Sequence, residues 1–233
     1  MDVDLATGFI WFVAFLFSTT VHEAMHALVA WKGGDPTAYH GGQVSLSPIP
    51  HIRREPIGML VVPLLTSMTQ GWAMGWASAP YDPVWAEHHP KRAALMAAAG
   101  PAGNYMIAIA AFVLIKAGLV AGFFAAPDSA NFSRVIVSAA GGDAGFLHTF
   151  LSVMLMLNVL LGTFNLLPLP PLDGGSVFSI FLPEHLGRRL RELQQNGALS
   201  MVGLLVAWRL FPTLTGPLFS VVLKLVHPSA SYG

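Results

Sequence analysis

The sequence predicts an all-α polytopic membrane protein, and two observations support that prediction. The 233-residue chain is 54% hydrophobic and only 10% charged, whereas soluble domains carry roughly 25% charged residues. Its apolar residues are also collected into long stretches with few charges. The lipid bilayer is therefore the expected environment, and residues 1–233 are expected to form a single membrane-embedded domain.

Charge and cysteine content exclude several other classes. Twelve basic and twelve acidic residues leave no net charge, so nucleic acid is not predicted as a partner. The chain has no cysteine, which excludes disulfides and thiolate metal sites. Any metal site must therefore use His, Asp, Glu or Asn side chains. The sequence does not indicate an oligomeric state.

Four apolar stretches are long enough to cross a membrane, since a span needs about 20 residues. They are residues 5–31, 93–115, 146–167 and 198–226. We expect the first to be a span rather than a cleaved signal peptide, because no basic segment precedes it and it exceeds an apolar core of about 7–15 residues. Arg209, Pro212 and Pro217 interrupt the fourth, which leaves open one kinked span or two shorter ones.

The segment 57–77 differs from these four. Its strongly apolar part ends at Leu65, contains Pro63, and is followed by polar residues and a glycine. We predict a re-entrant hairpin here, with a complete crossing as the alternative.

Loop charges favour the hairpin. If the segment returns to its starting side, the connections 32–92 and 172–197 together carry eight Lys and Arg, and the loop 116–145 carries two. A complete crossing would instead place five of these basic residues on each side of the membrane. Because basic residues collect in cytoplasmic loops, the N-terminus is predicted outside, and the end of the first span near the cytoplasm.

A candidate metal site lies in the first span, where His22, Glu23 and His26 form an H-E-x-x-H motif. On a helix the two histidines lie on one face and can reach one metal ion. Such a metal acidifies a water, and a glutamate beside the first ligand can accept its proton. The alternative is a polar cap at the interfacial end of the helix.

Catalytic zinc usually has three protein ligands, and Asp173 is the best candidate for the third. It lies in Pro-Pro-Leu-Asp-Gly-Gly directly after the third span, where prolines and glycines permit irregular backbone. Taken alone, this string is more often an ordinary turn. The H-E-x-x-H motif favours the ligand interpretation.

Three motifs in order resemble the site-2 proteases, a family of intramembrane zinc metalloproteases. They are H-E-x-x-H at 22–26, Gly-Pro-Ala-Gly-Asn at 100–104 and Asn-Leu-Leu-Pro-Leu-Pro-Pro-Leu-Asp-Gly-Gly at 165–175. The resemblance covers residues 5–190. It implies one Zn²⁺ per chain held by His22, His26 and Asp173, with Glu23 as the catalytic acid/base.

The resemblance also suggests roles for other residues. Asn165 is similar to the family's substrate-contacting asparagine, although it could equally satisfy carbonyls freed at the proline break. Gly100 and Pro101 permit close helix packing beside the site, and Asn104 is expected to bond to the first helix. The chain resembles a minimal member without PDZ or cystathionine-synthase-type domains.

A short edge strand is predicted at 43–47, because polar and apolar residues alternate after two glycines. Val44, Ser45 and Leu46 would then bind substrate by strand addition. The alternative is an amphipathic loop on the membrane surface.

The predicted function is cleavage of membrane-anchored proteins within or near their transmembrane segments, in a prokaryotic cell membrane. The alternative is a non-catalytic or metal-handling membrane protein of the same fold. The presence of Glu23 favours catalysis, because metal transport requires no general base.

Overall fold

Four long helices dominate the computed structural model, which describes residues 4–141 and 145–230. They are α1 (Leu5–Lys32), α6 (Pro90–Val120), α7 (Phe146–Asn165) and α10 (Gly197–Val226). Each is long and apolar enough to cross a membrane, so the predicted fold class is confirmed. Met1 and residues 142–144 of the predicted outer loop lie outside the described residues.

Shorter elements connect these helices. They are α2 (Thr37–His40), α3 (Pro48–Arg54), a π-helical turn (Ile57–Val61), α4 (Val62–Gln70), α5 (Pro83–His88), α8 (Asp173–Ser179) and α9 (Glu184–Gln195). Two short strands, β1 (Phe124–Ala125) and β2 (Val137–Ser138), pair antiparallel between α6 and α7. The small β-structure expected from the sequence is present, but in this loop.

The fourth apolar stretch forms one continuous helix, which decides between the two interpretations that the sequence left open. Pro212 and Pro217 both lie inside α10. Each proline removes one backbone hydrogen bond. Unwinding the helix in lipid would expose many more backbone groups to a solvent that cannot bond them. A helix with two missing bonds is therefore favoured over two separate pieces.

The segment 57–77 folds back on itself, as expected of a re-entrant hairpin. After α4, Gly71 adopts a left-handed conformation with φ 77°. The backbone N–H of Trp76 then donates to the carbonyl of Gly58 at 3.1 Å. A side chain on Gly58 would overlap the Trp76 carbonyl, so glycine permits this close approach of the two legs. The chain thus returns beside its own starting point.

The edge strand predicted at 43–47 is wrong. This segment consists of turns and bends, with Gly42 at φ 73°. Gln43 is only 2% exposed and donates from its amide to the carbonyl of Ser78, whereas Leu46 is 67% exposed. Polar and apolar residues alternate along the segment, but they do not alternate between an exposed and a buried face. A strand needs a partner edge, and the carbonyl of Ser45 instead bonds to the ring of His51 at 3.0 Å.

The helices α1, α6 and α7 form the core of the protein. Phe15, Ile115 and Met156, one from each helix, are fully or almost fully buried in one cluster. On α6 the residues that face this cluster include the small Ala108 and Ala111. Small residues let helices in a membrane approach closely. This close packing brings α6 against the face of α1 that carries the H-E-x-x-H motif.

Candidate metal centre

The H-E-x-x-H motif lies in the second half of α1, which is unbroken from Leu5 to Lys32. His22, Glu23 and His26 are all buried, with 5–7% of their surface exposed. Their burial follows from the packing of α6 and α7 on this face. The polar-cap interpretation does not fit, because a cap lies at a helix end and His22 is ten residues before the last residue of α1.

Three side chains converge at this position, namely His22, His26 and Asp173. The two Nε2 atoms lie 2.9 Å apart. Oδ2 of Asp173 lies 3.2 Å from Nε2 of His22 and 3.4 Å from Nε2 of His26. Asp173 is supplied by the first turn of α8, about 150 residues along the chain from the histidines.

The two distances from Asp173 fit ligands of one metal ion, whereas the 2.9 Å between the two Nε2 atoms is shorter than tetrahedral ligands give and would lengthen slightly around an ion. Ligand atoms bound to zinc at about 2.0–2.1 Å in tetrahedral geometry lie about 3.3–3.4 Å from one another. By contrast, a charge-assisted hydrogen bond between imidazolium and carboxylate would be shorter, about 2.7–2.9 Å. Oδ2 of Asp173 is buried and has no hydrogen-bond partner among the described residues. Such an atom is costly unless a cation or donor faces it.

The orientation of both imidazole rings is determined by acceptors behind them. Nδ1 of His26 lies 2.7 Å from the backbone carbonyl of Met96, which can only accept. Nδ1 of His22 lies 2.6 Å from Oδ1 of Asn104. With the proton on each Nδ1, the neutral rings direct their Nε2 lone pairs at each other and at the carboxylate. Three acceptors facing one point require a cation, and metal-bound histidines are usually held in this way.

A chain of buried amides fixes the orientation of Asn104. Nδ2 of Asn158 donates to the carbonyl of Met154 at 2.9 Å and to Oγ of Ser18 at 2.9 Å. Oδ1 of Asn158 is therefore free to accept from Nδ2 of Asn104 at 2.9 Å. Oδ1 of Asn104 consequently faces Nδ1 of His22, which must donate. Sequence reasoning missed Asn158, although an amide inside an apolar span is a recognisable signal.

Gly100 lies directly against the converging atoms. A Cβ at this position would lie 2.6 Å from Nε2 of His22 and would overlap Nε2 of His26. The missing side chain thus leaves the space that a metal ion between the two rings would need. Gly100 and Pro101 were predicted to permit close helix packing, and both are buried. For Gly100 the structure adds this more specific reason.

The other predicted site residues are placed differently. Glu23 is buried beside the cluster but is not one of its three members. Asn165 is half-buried at the end of α7, and its Nδ2 donates to the carbonyl of Leu161 at 3.0 Å. That contact matches the second interpretation of this residue, in which it satisfies a carbonyl near the proline break.

The apolar helices and the buried cluster describe a membrane protein with a candidate metal centre, and comparison with known proteins gives its class. The model of peptidase family M50 matches residues 10–210. The chain therefore belongs to peptidase family M50, the site-2 proteases. With four apolar helices long enough to cross a membrane in the described part of the chain, it is a multi-pass membrane metalloprotease of the zinc-dependent type.

Two curated relatives are bacterial. The chain is 30% identical over 200 residues to "Putative zinc metalloprotease YwhC" of Bacillus subtilis, covering 83% of this chain and 78% of the relative. It is 28% identical over 194 residues to "Putative zinc metalloprotease Rip2" of Mycolicibacterium smegmatis. That match covers 82% of this chain and 64% of Rip2, slightly less than two thirds of its length. No solved structure matches the chain.

Proposed function

We propose that this protein cleaves membrane-anchored proteins within or near their transmembrane segments, using one zinc ion per chain. The observation that supports this most is the depth of the cluster. His22 and His26 lie ten and six residues before the end of α1, which is about 15 and 9 Å at 1.5 Å per residue. A peptide bond must therefore enter the helix bundle to reach them. A transmembrane segment already lies at that depth.

His22, His26 and Asp173 would hold the zinc, which when bound polarises a carbonyl and makes water nucleophilic at neutral pH. Glu23 follows the first ligand on the same helix and would take up the proton of the attacking water, then deliver it to the departing amine. The three ligands are all buried or nearly so. Their burial excludes competing bulk water and strengthens the electrostatic interactions that favour the reaction.

Asn165 is proposed to contact the substrate backbone. One N–H of its Nδ2 donates to Leu161, and its Oδ1 is available to accept from a substrate N–H. An amide nitrogen carries two N–H groups, so the second N–H of Nδ2 can donate to an oxyanion while the bond to Leu161 is kept. Val44, Ser45 and Leu46 remain candidates for substrate contact as part of a loop, without the strand pairing that we predicted.

Mapping the products of a single-span substrate tests this function. In proteoliposomes, the protein should cut the substrate within its span or a few residues from the span. His22→Ala should not cut it. A soluble peptide with the same residues around the cut but without the apolar flanks should be a much poorer substrate. Mass spectrometry of the products locates the cut. Cleavage confined to the soluble tail would contradict an intramembrane function.

The membrane orientation follows from the loop charges and is likewise proposed. We place the N-terminus outside and the metal centre towards the cytoplasm. The returning hairpin supports this arrangement, because residues on both sides of it then lie on one face of the membrane.

Cysteine labelling measures the orientation against a background without native thiols. Arg54→Cys and His89→Cys, both at exposed positions, should react only with reagent on the cytoplasmic side. Ser129→Cys, exposed in the loop between α6 and α7, should react only from the opposite side. If Arg54→Cys and His89→Cys react from opposite sides, the segment 57–77 crosses fully and the proposed orientation is wrong.

A further inference from the structure

The side chain of Gln194, on α9, contacts the turn that carries Asp173. Its Nε2 donates to the backbone carbonyl of Leu172 at 2.9 Å, and its Oε1 accepts from Oγ of Ser176 at 2.6 Å. A carbonyl only accepts, so the orientation of this amide is determined. Leu172 precedes Asp173 directly, and Ser176 follows it within one helical turn. The two hydrogen bonds therefore lie on either side of the proposed zinc ligand.

Two glycines make room for the contacts of this turn. A Cβ on Gly175 would overlap Nε2 of Gln194 and would lie 2.7 Å from its Cδ. A Cβ on Gly174 would instead overlap the carbonyl of Leu166, at the end of α7. The turn is thus held between α7 on one side and Gln194 on the other. Each glycine of the Asp-Gly-Gly string permits one of these contacts.

Gln194 is presented from a helix that is itself docked on α8. Nη1 of Arg191 donates to Oγ of Ser179 at 3.3 Å, and a Cβ on Gly187 would overlap the Ser179 carbonyl. Gly187, Arg191 and Gln194 recur at intervals of four and three residues, so they share one face of α9. That face of α9 packs against α8, and this packing keeps the amide of Gln194 beside the turn.

The position of this turn determines where the Asp173 carboxylate lies. Aspartate has a short side chain, so a shift of its backbone moves Oδ2 by nearly the same distance. Site geometry generally needs to be held to about 0.5 Å for function. We propose that Gln194 is a positioning residue that holds Asp173 in place to bind zinc. This inference rests on the proposed role of Asp173 as a ligand.

Substitution of Gln194 tests the proposal through metal binding. Gln194→Ala should weaken zinc binding about 10- to 100-fold, as loss of a residue that supports a ligand typically does, with every ligand retained. Gln194→Glu should weaken it similarly, because a carboxylate oxygen would face the Leu172 carbonyl. Chelator competition measures the affinity, and the visible spectrum of the cobalt-substituted protein reports the ligand geometry. Glu192→Ala, exposed on the same helix, is the matched control and should change neither.

A steric double-mutant cycle provides a second test. Gly175→Ala alone should weaken zinc binding, because its methyl group displaces the Gln194 amide. In the Gln194→Ala background the same change should add little, which gives a measurable coupling. If Gln194→Ala fails to fold, Ser176→Ala removes one hydrogen bond and should lower zinc affinity by a smaller factor.

The outcomes separate this proposal from the zinc site itself. Wild-type affinity and spectrum in folded Gln194→Ala, or in folded Ser176→Ala when the first variant does not fold, would overturn the positioning role. Asp173→Asn should lose zinc in either case. If Asp173→Asn also keeps wild-type zinc affinity, the proposed ligand set is wrong, and the role of Gln194 falls with it.

Discussion

Glu23→Gln should retain zinc and lower the rate of peptide cleavage about 10²- to 10⁴-fold, the usual contribution of a general base. The amide occupies nearly the same volume as the carboxylate but cannot take up a proton. Because Glu23 contributes no atom to the converging cluster of His22, His26 and Asp173, metal content should not change. Metal analysis of the purified protein and cleavage of a single-span substrate measure the two effects separately.

Met25→Leu is a suitable control for Glu23→Gln. Met25 lies inside the H-E-x-x-H motif, and exchange of Met for Leu nearly conserves volume. It should leave both zinc and cleavage unchanged. A Glu23→Gln variant that cuts at the wild-type rate would remove Glu23 from the mechanism. A wild-type protein that binds zinc and cuts no membrane-anchored substrate would instead favour the non-catalytic alternative.

Gly100→Ala should abolish zinc binding as completely as His22→Ala, although it removes no ligand. The new methyl carbon would lie 2.6 Å from Nε2 of His22 and overlap Nε2 of His26, in the space where zinc–nitrogen bonds of about 2.0–2.1 Å require the ion. The overlap costs about 1–3 kcal/mol of stability, which the preference of a helix for alanine over glycine offsets by roughly 0.5–1 kcal/mol, so a folded variant without zinc is the expected result. Zinc content and thermal unfolding are the two measurements.

Gly103→Ala is the matched control for Gly100→Ala. It lies on the same helix, one turn further on, and its Cβ would meet the flexible side chain of Met25 at 2.9 Å. That side chain can move, so zinc binding should survive. Normal zinc affinity in Gly100→Ala would show that the metal does not lie between the two imidazoles and α6.

Local rules explain what could be predicted from the sequence. A span requires only sufficient length and apolar character, so the four long helices were predictable from composition alone. The side chains of His22 and His26 share a helix face because they are four residues apart, whatever surrounds them. The prediction at 43–47 used a rule of the same kind and failed. Alternation describes one strand, but a strand forms only where another edge is available to pair with it.

The remaining features of the site depend on which helix surfaces pack together. Local patterns in a single sequence do not show which surfaces these are. Composition cannot show that Asn158 orients His22 through Asn104, that Gly100 leaves room for a metal ion, or that Gln194 reaches the turn of Asp173. Each depends on α6, α7 or α9 arriving at a particular distance and register. The sequence by itself determined the class of protein, its spans and the histidine pair. Only the tertiary structure decided how Asp173 and the residues behind the histidines are placed, because helix packing brings together side chains that are far apart along the chain.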